Sequence, residues 1–436
     1  MGHFVLIIGP AFLALVIFLN HVLLRWLAHV APFLCKKPEP AKLAEARTKG
    51  EKALMRAAKP RLKTGVLLLV SFLYIGTSAL MPIGYFLPAG LLQKIFRRVG
   101  YCMIVVNVYF LIALALFSLI GLLLILFKKL SRDGFSRGAF YRIGMGLVLL
   151  ATVGLVVYGE INARIIRTVH YSFTVDKDGG NIPAAADGTK KLRVALIGDM
   201  HLGYNAGLAM MRDMVEKINR EDVDLIFIAG DVFDNAYDAI GQPEEIAKTL
   251  AGMKSKYGAY AVYGNHDVED KLIFGFNFSN HDKENDPRYG RFLADANVTV
   301  LTDESLELFD GSVILVGRRD PEETGLRTSQ GERRATAAEL TEGLDKSRIL
   351  IDLEHEPKEV PEVAAAGFDM QLCGHTHNGQ FFPLNIGIDR LYFNACGYKV
   401  YENKMHTVTT AGVGSYGPFN RAFVDPEFSI LDISFR

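Results

Sequence analysis

Five short segments of this chain carry side chains that could hold metal ions. They are GDMHLG, GDVFDN, GNHD, LEHEP and LCGHTHNGQ, and their candidate ligands are Asp199, His201, Asp231, Asn265, His355, His375 and His377. Aspartate and histidine together suit first-row metals such as Mn, Fe, Co or Zn. An aspartate can also bridge two cations, because each of its oxygens can face a different ion. The set is about large enough for two ions, with one residue left for proton transfer.

Two ions a few ångströms apart would favour phosphoryl transfer. They stabilise the attacking and leaving oxygens of an in-line displacement, and they lower the pKa of a bound water toward ~7. The alternative for each motif alone is an ordinary polar loop, since D-x-H and G-D are common in proteins. GNHD and GHTH are much rarer in a chain with 11 histidines. The occurrence of all five segments in this order therefore favours the metal site.

All five segments follow predicted strands. Apolar, β-branched runs predict strands over 192–198, 223–230, 258–264, 348–353 and 368–374, and helical spacing occurs over 206–219 and 243–255. Strands that alternate with helices indicate an α/β fold. Because such sheets bind ligands at the carboxyl ends of their strands, we expect the five segments to converge there. The glycine beside each candidate ligand allows the sharp turn out of the strand.

The motif series resembles the calcineurin-like metallophosphoesterases: D-x-H, G-D, G-N-H-D, a lone H and then G-H-x-H. The resemblance covers residues 191–436. It implies a four-layer α/β/β/α sandwich and hydrolysis of a phosphoester by a metal-bridging hydroxide. The sequence around the motifs is similar to that of a membrane-anchored subgroup of this family. The similar part includes TTAGVGSYGPFNRAFVDPEFSILDI near the carboxyl end.

The resemblance also implies roles for individual residues. One divalent ion, expected to be Mn with Fe, Zn or Co as alternatives, would be held by Asp199, His201, Asp231 and His377. The second ion would be held by Asp231, Asn265, His355 and His375, so that Asp231 is the bridge. His266 matches the histidine that is not a ligand and protonates the leaving oxygen or steadies the phosphate, and Asp267 would orient it.

Two arginines are weaker candidates for phosphate contact. Arg319, or its neighbour Arg318, follows a predicted strand, and Arg421 lies in a glycine-rich turn. Arginine binds phosphate oxygens well. The alternative for the first pair is a solvated surface or an ion pair with Asp320. The segment 269–289, rich in phenylalanine, is expected to be a packed insertion, with a cap over the site as its alternative.

The first 160 residues are predicted to form an all-α membrane region. Four long apolar runs occupy 4–24, 65–92, 101–127 and 143–158, and about 20 apolar residues cross a bilayer as a helix. The first run has neither a basic start nor a cleavage site, so we interpret it as a retained helix. We therefore expect about four spans in 1–160, a linker over 161–190 and the catalytic domain over 191–436.

Loop charge predicts the orientation of the spans. Ten Lys or Arg residues lie over 36–63, between the first two runs, and five lie between the last two runs, against three in the middle loop. Loops rich in Lys and Arg stay in the cytoplasm. If the fourth run crosses, the catalytic domain lies outside the cytoplasm of a multi-pass cell-membrane protein.

Composition narrows the function further. A formal net charge of zero argues against a nucleic-acid binder, and four cysteines without metal-like spacing predict no disulfide framework. Anchoring favours a membrane-borne substrate such as a lipid-linked phosphate or pyrophosphate. The alternatives are a phosphodiesterase of a soluble nucleotide, with the spans only as anchor, and a metal-binding receptor or transporter. Transport is disfavoured, because few polar residues, notably Asn20, His21 and Asn107, lie within the runs. The oligomeric state is left open.

Overall fold

The computed structural model describes residues 2–88, 90–185, 187–234, 236–267, 272–273, 276–277, 286–321 and 333–436. The chain divides into two compact units. The helical unit comprises Met1–Phe86 and Ile95–Val157, and the catalytic unit comprises Leu87–Lys94 and Tyr158–Arg436.

The amino-terminal region is built from helices. They are α1 Gly2–Val30, α2 Pro40–Thr48, α3 Glu51–Ala57, α4 Thr64–Ser78, α5 Leu80–Tyr85, α6 Leu91–Leu126, α7 Arg132–Arg137 and α8 Ala139–Asn162. A small core includes Leu19, Phe110 and Met145. Many other large apolar side chains of these helices are exposed, including Leu68, Phe72 and Leu150. Such a surface is costly in water and suits lipid.

Three described helical segments are long and apolar enough to cross a membrane: Gly9–Val30, Leu91–Leu126 and Arg132–Asn162. The chain is therefore a membrane protein. The predicted span over 65–92 is instead two helices, the 15-residue α4 and the short α5, joined at Ala79. Hydropathy does not detect this interruption, because α4, Ala79 and α5 carry no charged residue, although Pro82 interrupts the predicted run. Whether this pair also crosses stays a prediction.

The catalytic unit contains two six-stranded sheets. The first has the order β1-β14-β2-β3-β4-β7, with parallel pairing except between β14 and β2. Its strands are β1 Arg167–Val175, β2 Lys190–Ile197, β3 Leu225–Ala229, β4 Ala259–Val262, β7 Val298–Val300 and β14 Glu427–Phe435. The short strands β5 Leu272–Ile273 and β6 Phe276–Asn277 pair with each other.

The second sheet has the order β12-β13-β11-β10-β9-β8 and is antiparallel only at its two edges. Its strands are β8 Glu304–Leu308, β9 Val313–Gly317, β10 Ile349–Leu353, β11 Met370–Cys373, β12 Gly397–Tyr401 and β13 Met405–Thr409. The helices of the unit are α9 Leu208–Ile218, α10 Pro243–Leu250, α11 Pro287–Asp295, α12 Ala337–Leu340 and α13 Val360–Ala366.

These elements form four layers, because side chains along each strand point alternately to the two faces of its sheet. Phe227 of β3 and Ile351 of β10 share the core between the sheets, whereas their neighbours point to opposite faces. Ile228 packs with α9, α10 and α11, and Leu350 packs with α12 and α13. The α/β/β/α sandwich expected from the resemblance is confirmed.

The range 161–190, expected to be a linker, is largely part of the fold. Strand β1 pairs along its whole length with β14, and α8 ends only five residues before it. Alternation in the sequence RTVHYSFTV is typical of an edge strand. The catalytic fold therefore begins within the last turn of α8 and not at residue 191.

Candidate metal centre

Every candidate ligand leaves the carboxyl end of a strand. Asp199 and His201 follow β2, Asp231 follows β3, Asn265 follows β4, His355 follows β10, and His375 and His377 follow β11. Both sheets thus contribute to one edge. The loop 410–414 closes it, because the Gly414 N–H donates to the Asp199 carbonyl at 2.7 Å.

The backbone at this edge is strained. Asp199, His201, Asp231, His375 and His377 all have positive φ, between 46° and 74°. Side chains other than glycine adopt this region rarely, and such strain concentrates at functional sites. Crowding is also severe, since a Cβ on Gly264 would lie 2.3 Å from Asp231 Oδ1. Glycine is therefore required beside Asn265.

The first ligand group consists of Asp199, His201 and His377, all buried. The Nε2 atoms of His201 and His377 lie 2.9 Å apart, and His377 Nε2 lies 3.5 Å from Asp199 Oδ1. Asp231 Oδ2 is 3.6 Å from His201 Nε2. Two imidazole nitrogens and two carboxylates therefore face one point from different directions, which is how a cation is held.

The second group surrounds the other side of Asp231. His355 Nε2 lies 3.1 Å from Asp231 Oδ2 and 3.1 Å from Asn265 Oδ1. His375 Nδ1 lies 3.2 Å from the same Asn265 oxygen. His355 Nδ1 contacts the Ala229 carbonyl at 2.7 Å, which fixes the ring with Nε2 turned inward. The donor set fits a second divalent ion, and Asp231 lies between the groups.

Burial prepares several ligands for metal. It lowers the pKa of His377 well below its usual value, helped by the Arg421 cation, so the ring is neutral. Burial likewise lowers the pKa of His375. Burial raises the pKa of Asp199 to about 7, against the opposing effect of His355. A cation at this point would replace a proton, as ligand deprotonation requires.

His266 lies beside the ligands without joining the two groups just described. Its backbone N–H donates to Asp231 Oδ1 at 2.8 Å, and its ring centroid lies 4.3 Å from Tyr416 and 5.2 Å from His201. The ring is only half-buried, so a substrate can approach it.

Asp267 has contacts other than those expected from the resemblance. Its two oxygens accept from the backbone N–H groups of Phe233 and Gly264, at 2.8 and 2.7 Å. This buried carboxylate therefore ties the loop after β3 to the loop after β4. Asp267 therefore fixes the backbone position of His266, because it holds the loop that carries His266. Its two carboxylate oxygens each accept from one of these amides.

Asp234 was missed in the sequence. Its carboxylate lies within 4.8 Å of ring nitrogens of both His201 and His266, and 3.9 Å from His201 Nδ1. The distance of 3.9 Å is too long for a hydrogen bond, so Asp234 places negative charge beside the two rings and does not fix a tautomer. The signal was present in the sequence as a second aspartate three residues after Asp231.

Arg421 does not face the open site, contrary to the expectation of phosphate contact. Its side chain is fully buried, and its Nη1 and Nη2 contact the carbonyl and Nδ1 of His377 at 3.1 and 2.7 Å. Further bonds reach the Gly414 carbonyl and the Ser415 hydroxyl. Because its donors are used by protein groups, Arg421 positions His377 and is not a phosphate ligand.

The backbone of Arg421 is held by the last turn of α8. The Arg421 N–H donates to the Gly159 carbonyl at 3.0 Å, and Asn162 Nδ2 donates to the Arg421 carbonyl at 2.8 Å. A Cβ on Gly159 would lie 2.2 Å from Asn420 Oδ1, so only glycine allows this approach. Residues 159–162 therefore support a candidate metal ligand through one intervening side chain.

We expect Arg421→Lys to weaken metal binding. One ammonium cannot reproduce the contacts of the guanidinium with the His377 and Gly414 carbonyls, which hold the loop of His377. Loss of support around a metal ligand typically costs ~10–100-fold in metal affinity or activity. In a titration of activity with Mn, the variant should need a higher Mn concentration than the parent protein for half-maximal activity. Its activity should recover at saturating Mn. Lys217→Arg, on the surface of α9, is the control. An unchanged metal dependence with a lower melting temperature would reduce Arg421 to a purely structural role.

The ligand contacts described above do not involve the other two candidate arginines, Arg318 and Arg319. Arg318 is buried and pairs with Glu354 and Glu359 at 3.2 and 2.7 Å, which removes it as a phosphate contact and differs from the expected Asp320 pair. Arg319 is half-buried, and its N–H donates to Asp303 at 2.9 Å. Phosphate binding by Arg319 stays a prediction. Most of 269–289 lies outside the described residues.

Known proteins share this architecture. The model of the calcineurin-like phosphoesterase family matches residues 192–379. The chain is 30% identical over 320 residues to a transmembrane protein with metallophosphoesterase domain from Danio rerio, covering 72% of this chain and 67% of that one. It is 25% identical over 295 residues to an uncharacterized metallophosphoesterase of Campylobacter jejuni, covering 67% and 70%. Among solved structures, a dimetal phosphatase from Danio rerio has 13% identity and a TM-score of 0.31, covering 51% of this chain and 88% of that one.

The fold and the donor set define a metal-dependent phosphoesterase. The chain belongs to the calcineurin-like metallophosphoesterases, as the motif series indicated.

Proposed function

We propose that the protein hydrolyses a membrane-borne phosphoester, such as a lipid-linked phosphate or pyrophosphate, with two divalent ions. The observation that carries the proposal is the pair of ligand groups on the two sides of Asp231. Asp199, His201, Asp231 and His377 would hold one ion, and Asp231, Asn265, His355 and His375 would hold the other. When bound, the ions supply Lewis-acid stabilisation of phosphoryl oxygens and acidify water.

The remaining work falls to side chains. The half-buried His266 imidazole donates a proton to the leaving oxygen, since it lies beside the ligands and is reachable by substrate. Asp234 supplies negative charge near His201 and His266, and Asp267 fixes the loop that carries His266. The membrane location supports a membrane-borne substrate, because helices apolar enough to cross a bilayer precede the catalytic unit.

Turnover of a phosphoester panel tests this function. The full-length protein in detergent is stripped with a chelator and reloaded separately with Mn, Co, Zn or Mg. We expect chelation to abolish hydrolysis, Mn to restore it, and lipid phosphoesters to give a higher kcat/KM than soluble nucleotides. Full activity without metal would refute the two-ion site. A preference for soluble nucleotides would instead leave the spans as an anchor only.

We also propose that the catalytic unit faces away from the cytoplasm. The basic loops before α4 and before α8 stay inside, and α8 then crosses. Its 24 residues extend ~36 Å at ~1.5 Å per residue, against ~30 Å of hydrocarbon. The predicted run over 143–158 was shorter, so the observed helix favours crossing.

Labelling with a membrane-impermeant thiol reagent checks the orientation. In a background without native cysteines, Lys254→Cys on the catalytic unit should react in intact cells. Lys37→Cys, in the first basic loop, should react only after the cells are opened. The reverse pattern would place the catalytic unit in the cytoplasm.

A further inference from the structure

The catalytic unit exposes large apolar side chains in a few places. Within Tyr158–Arg436, ten described large apolar residues are exposed, and nine of them lie in 158–165, in 384–400 or at position 423. The most exposed belong to the loop that follows the candidate ligand His377: Leu384 at 58%, Ile386 at 69% and Leu391 at 76%. We call residues 383–393 together with Phe423 the apolar lobe. Such a concentration marks an interaction surface.

The segments that expose these residues are in contact with one another. The Phe423 ring lies 5.4 Å from the Tyr158 ring and 6.0 Å from the Phe382 ring, measured between centroids. The Phe382 N–H donates to the Ala422 carbonyl at 3.0 Å. A path of apolar contacts therefore leads from the end of α8, through Phe423, to the start of the loop.

The loop is folded with its apolar side chains outward. The Ile386 N–H donates to the Pro383 carbonyl and the Leu391 N–H to the Ile388 carbonyl, both at 2.9 Å. Lys399 Nζ donates to the Phe393 carbonyl at 2.9 Å. Because these bonds define local turns, the exposed side chains cannot all turn inward without breaking them. The segment 383–393 contains only two charged residues, Asp389 and Arg390.

We propose that the apolar lobe inserts into the surface of a lipid bilayer. Tyr158 ends the uncharged part of α8, a helix apolar enough to cross a membrane, and tyrosine is enriched at membrane interfaces. A bilayer that α8 crosses would therefore extend to Tyr158, whose ring contacts Phe423. The lobe also adjoins the metal centre, because the Tyr392 ring lies 6.1 Å from that of His375. Insertion therefore brings the ligands to the headgroup level.

An environment-sensitive probe tests the insertion without any measurement of turnover, so that its outcome is independent of the proposed reaction. Leu391→Cys is made in the full-length chain without native cysteines and labelled with the fluorophore NBD. The protein is reconstituted in phosphatidylcholine bilayers with or without a spin-labelled lipid. We expect blue-shifted emission and loss of most of the fluorescence in the presence of the spin label.

Ile386→Cys is a second lobe position and should behave alike. Lys254→Cys, an exposed polar position outside the lobe, is the matched control and should keep its fluorescence. Emission typical of water at both lobe positions would overturn the proposal and leave a protein partner as the occupant of the surface. Equal quenching at Lys254→Cys would overturn it as well, because the contact would not be specific to the lobe.

Discussion

Replacement of Asp231 by alanine is expected to empty the metal centre and abolish phosphoester hydrolysis. Its Oδ2 atom lies 3.1 Å from His355 Nε2 and 3.6 Å from His201 Nε2, so one carboxylate adjoins both ligand groups. Its Oδ1 atom also accepts from the His266 N–H. Removal of this carboxylate leaves four imidazoles with less compensating charge. The loss should exceed the ~10–100-fold effect that is typical of outer-shell changes.

Metal content by mass spectrometry, measured beside activity, checks the Asp231 prediction. Asp213→Ala is the control, since this surface carboxylate pairs with Lys217 on α9, and an exposed pair of this kind contributes at most ~1 kcal/mol. Asp231→Asn separates ligand loss from backbone strain, because asparagine tolerates the left-handed conformation found here, with φ of 51°. Retention of two ions by Asp231→Ala would disprove the bridging role.

His266→Ala should keep both ions and lose catalysis. The ring adjoins the candidate ligands, and its proposed role is to donate a proton to the leaving oxygen. General acid catalysis typically contributes ~10²–10⁴-fold to the rate. We therefore expect kcat to fall by about that factor while the metal content and the metal dependence of activity stay those of the parent protein.

Comparing substrates whose leaving groups have low and high pKa values makes the His266 test more specific. Such a leaving group needs little protonation, so the defect should shrink for a nitrophenyl ester and remain for an alkyl ester. His170→Ala, which removes an exposed imidazole of β1, serves as the control. Loss of metal from His266→Ala would make this residue a ligand and reverse its assignment.

The position of the candidate ligands at one edge could be predicted from the sequence, because the strands themselves place these side chains. Asp199, Asp231 and His375 each follow a short apolar run, and parallel strands bring such positions to one edge. The roles of Arg421 and Asp267 could not be predicted in this way. Both depend on which buried donors and acceptors meet after folding, and their partners His377, Phe233 and Gly264 lie in separate loops.

Two features of the chain's organisation were also hidden from sequence patterns. The strand β1 lies 252 residues or more before its partner β14, so its pairing cannot be read locally, and the region resembled a linker. The interruption between α4 and α5 falls in an uncharged stretch whose hydropathy stays high, although Pro82 interrupts it. Hydropathy reports how apolar a segment is, but helix continuity depends on local backbone conformation.

The junction between α8 and β1 has a consequence for proteolysis. Four residues separate the helix from the strand, and Ala163 and Ile166 among them are buried. A protease therefore finds little extended chain to cut. A cut upstream of Gly159 would also tend to unwind the turn whose Gly159 carbonyl and Asn162 side chain hold the backbone of Arg421. We therefore expect proteases to cleave this junction slowly, and we expect an active soluble fragment to retain the end of α8.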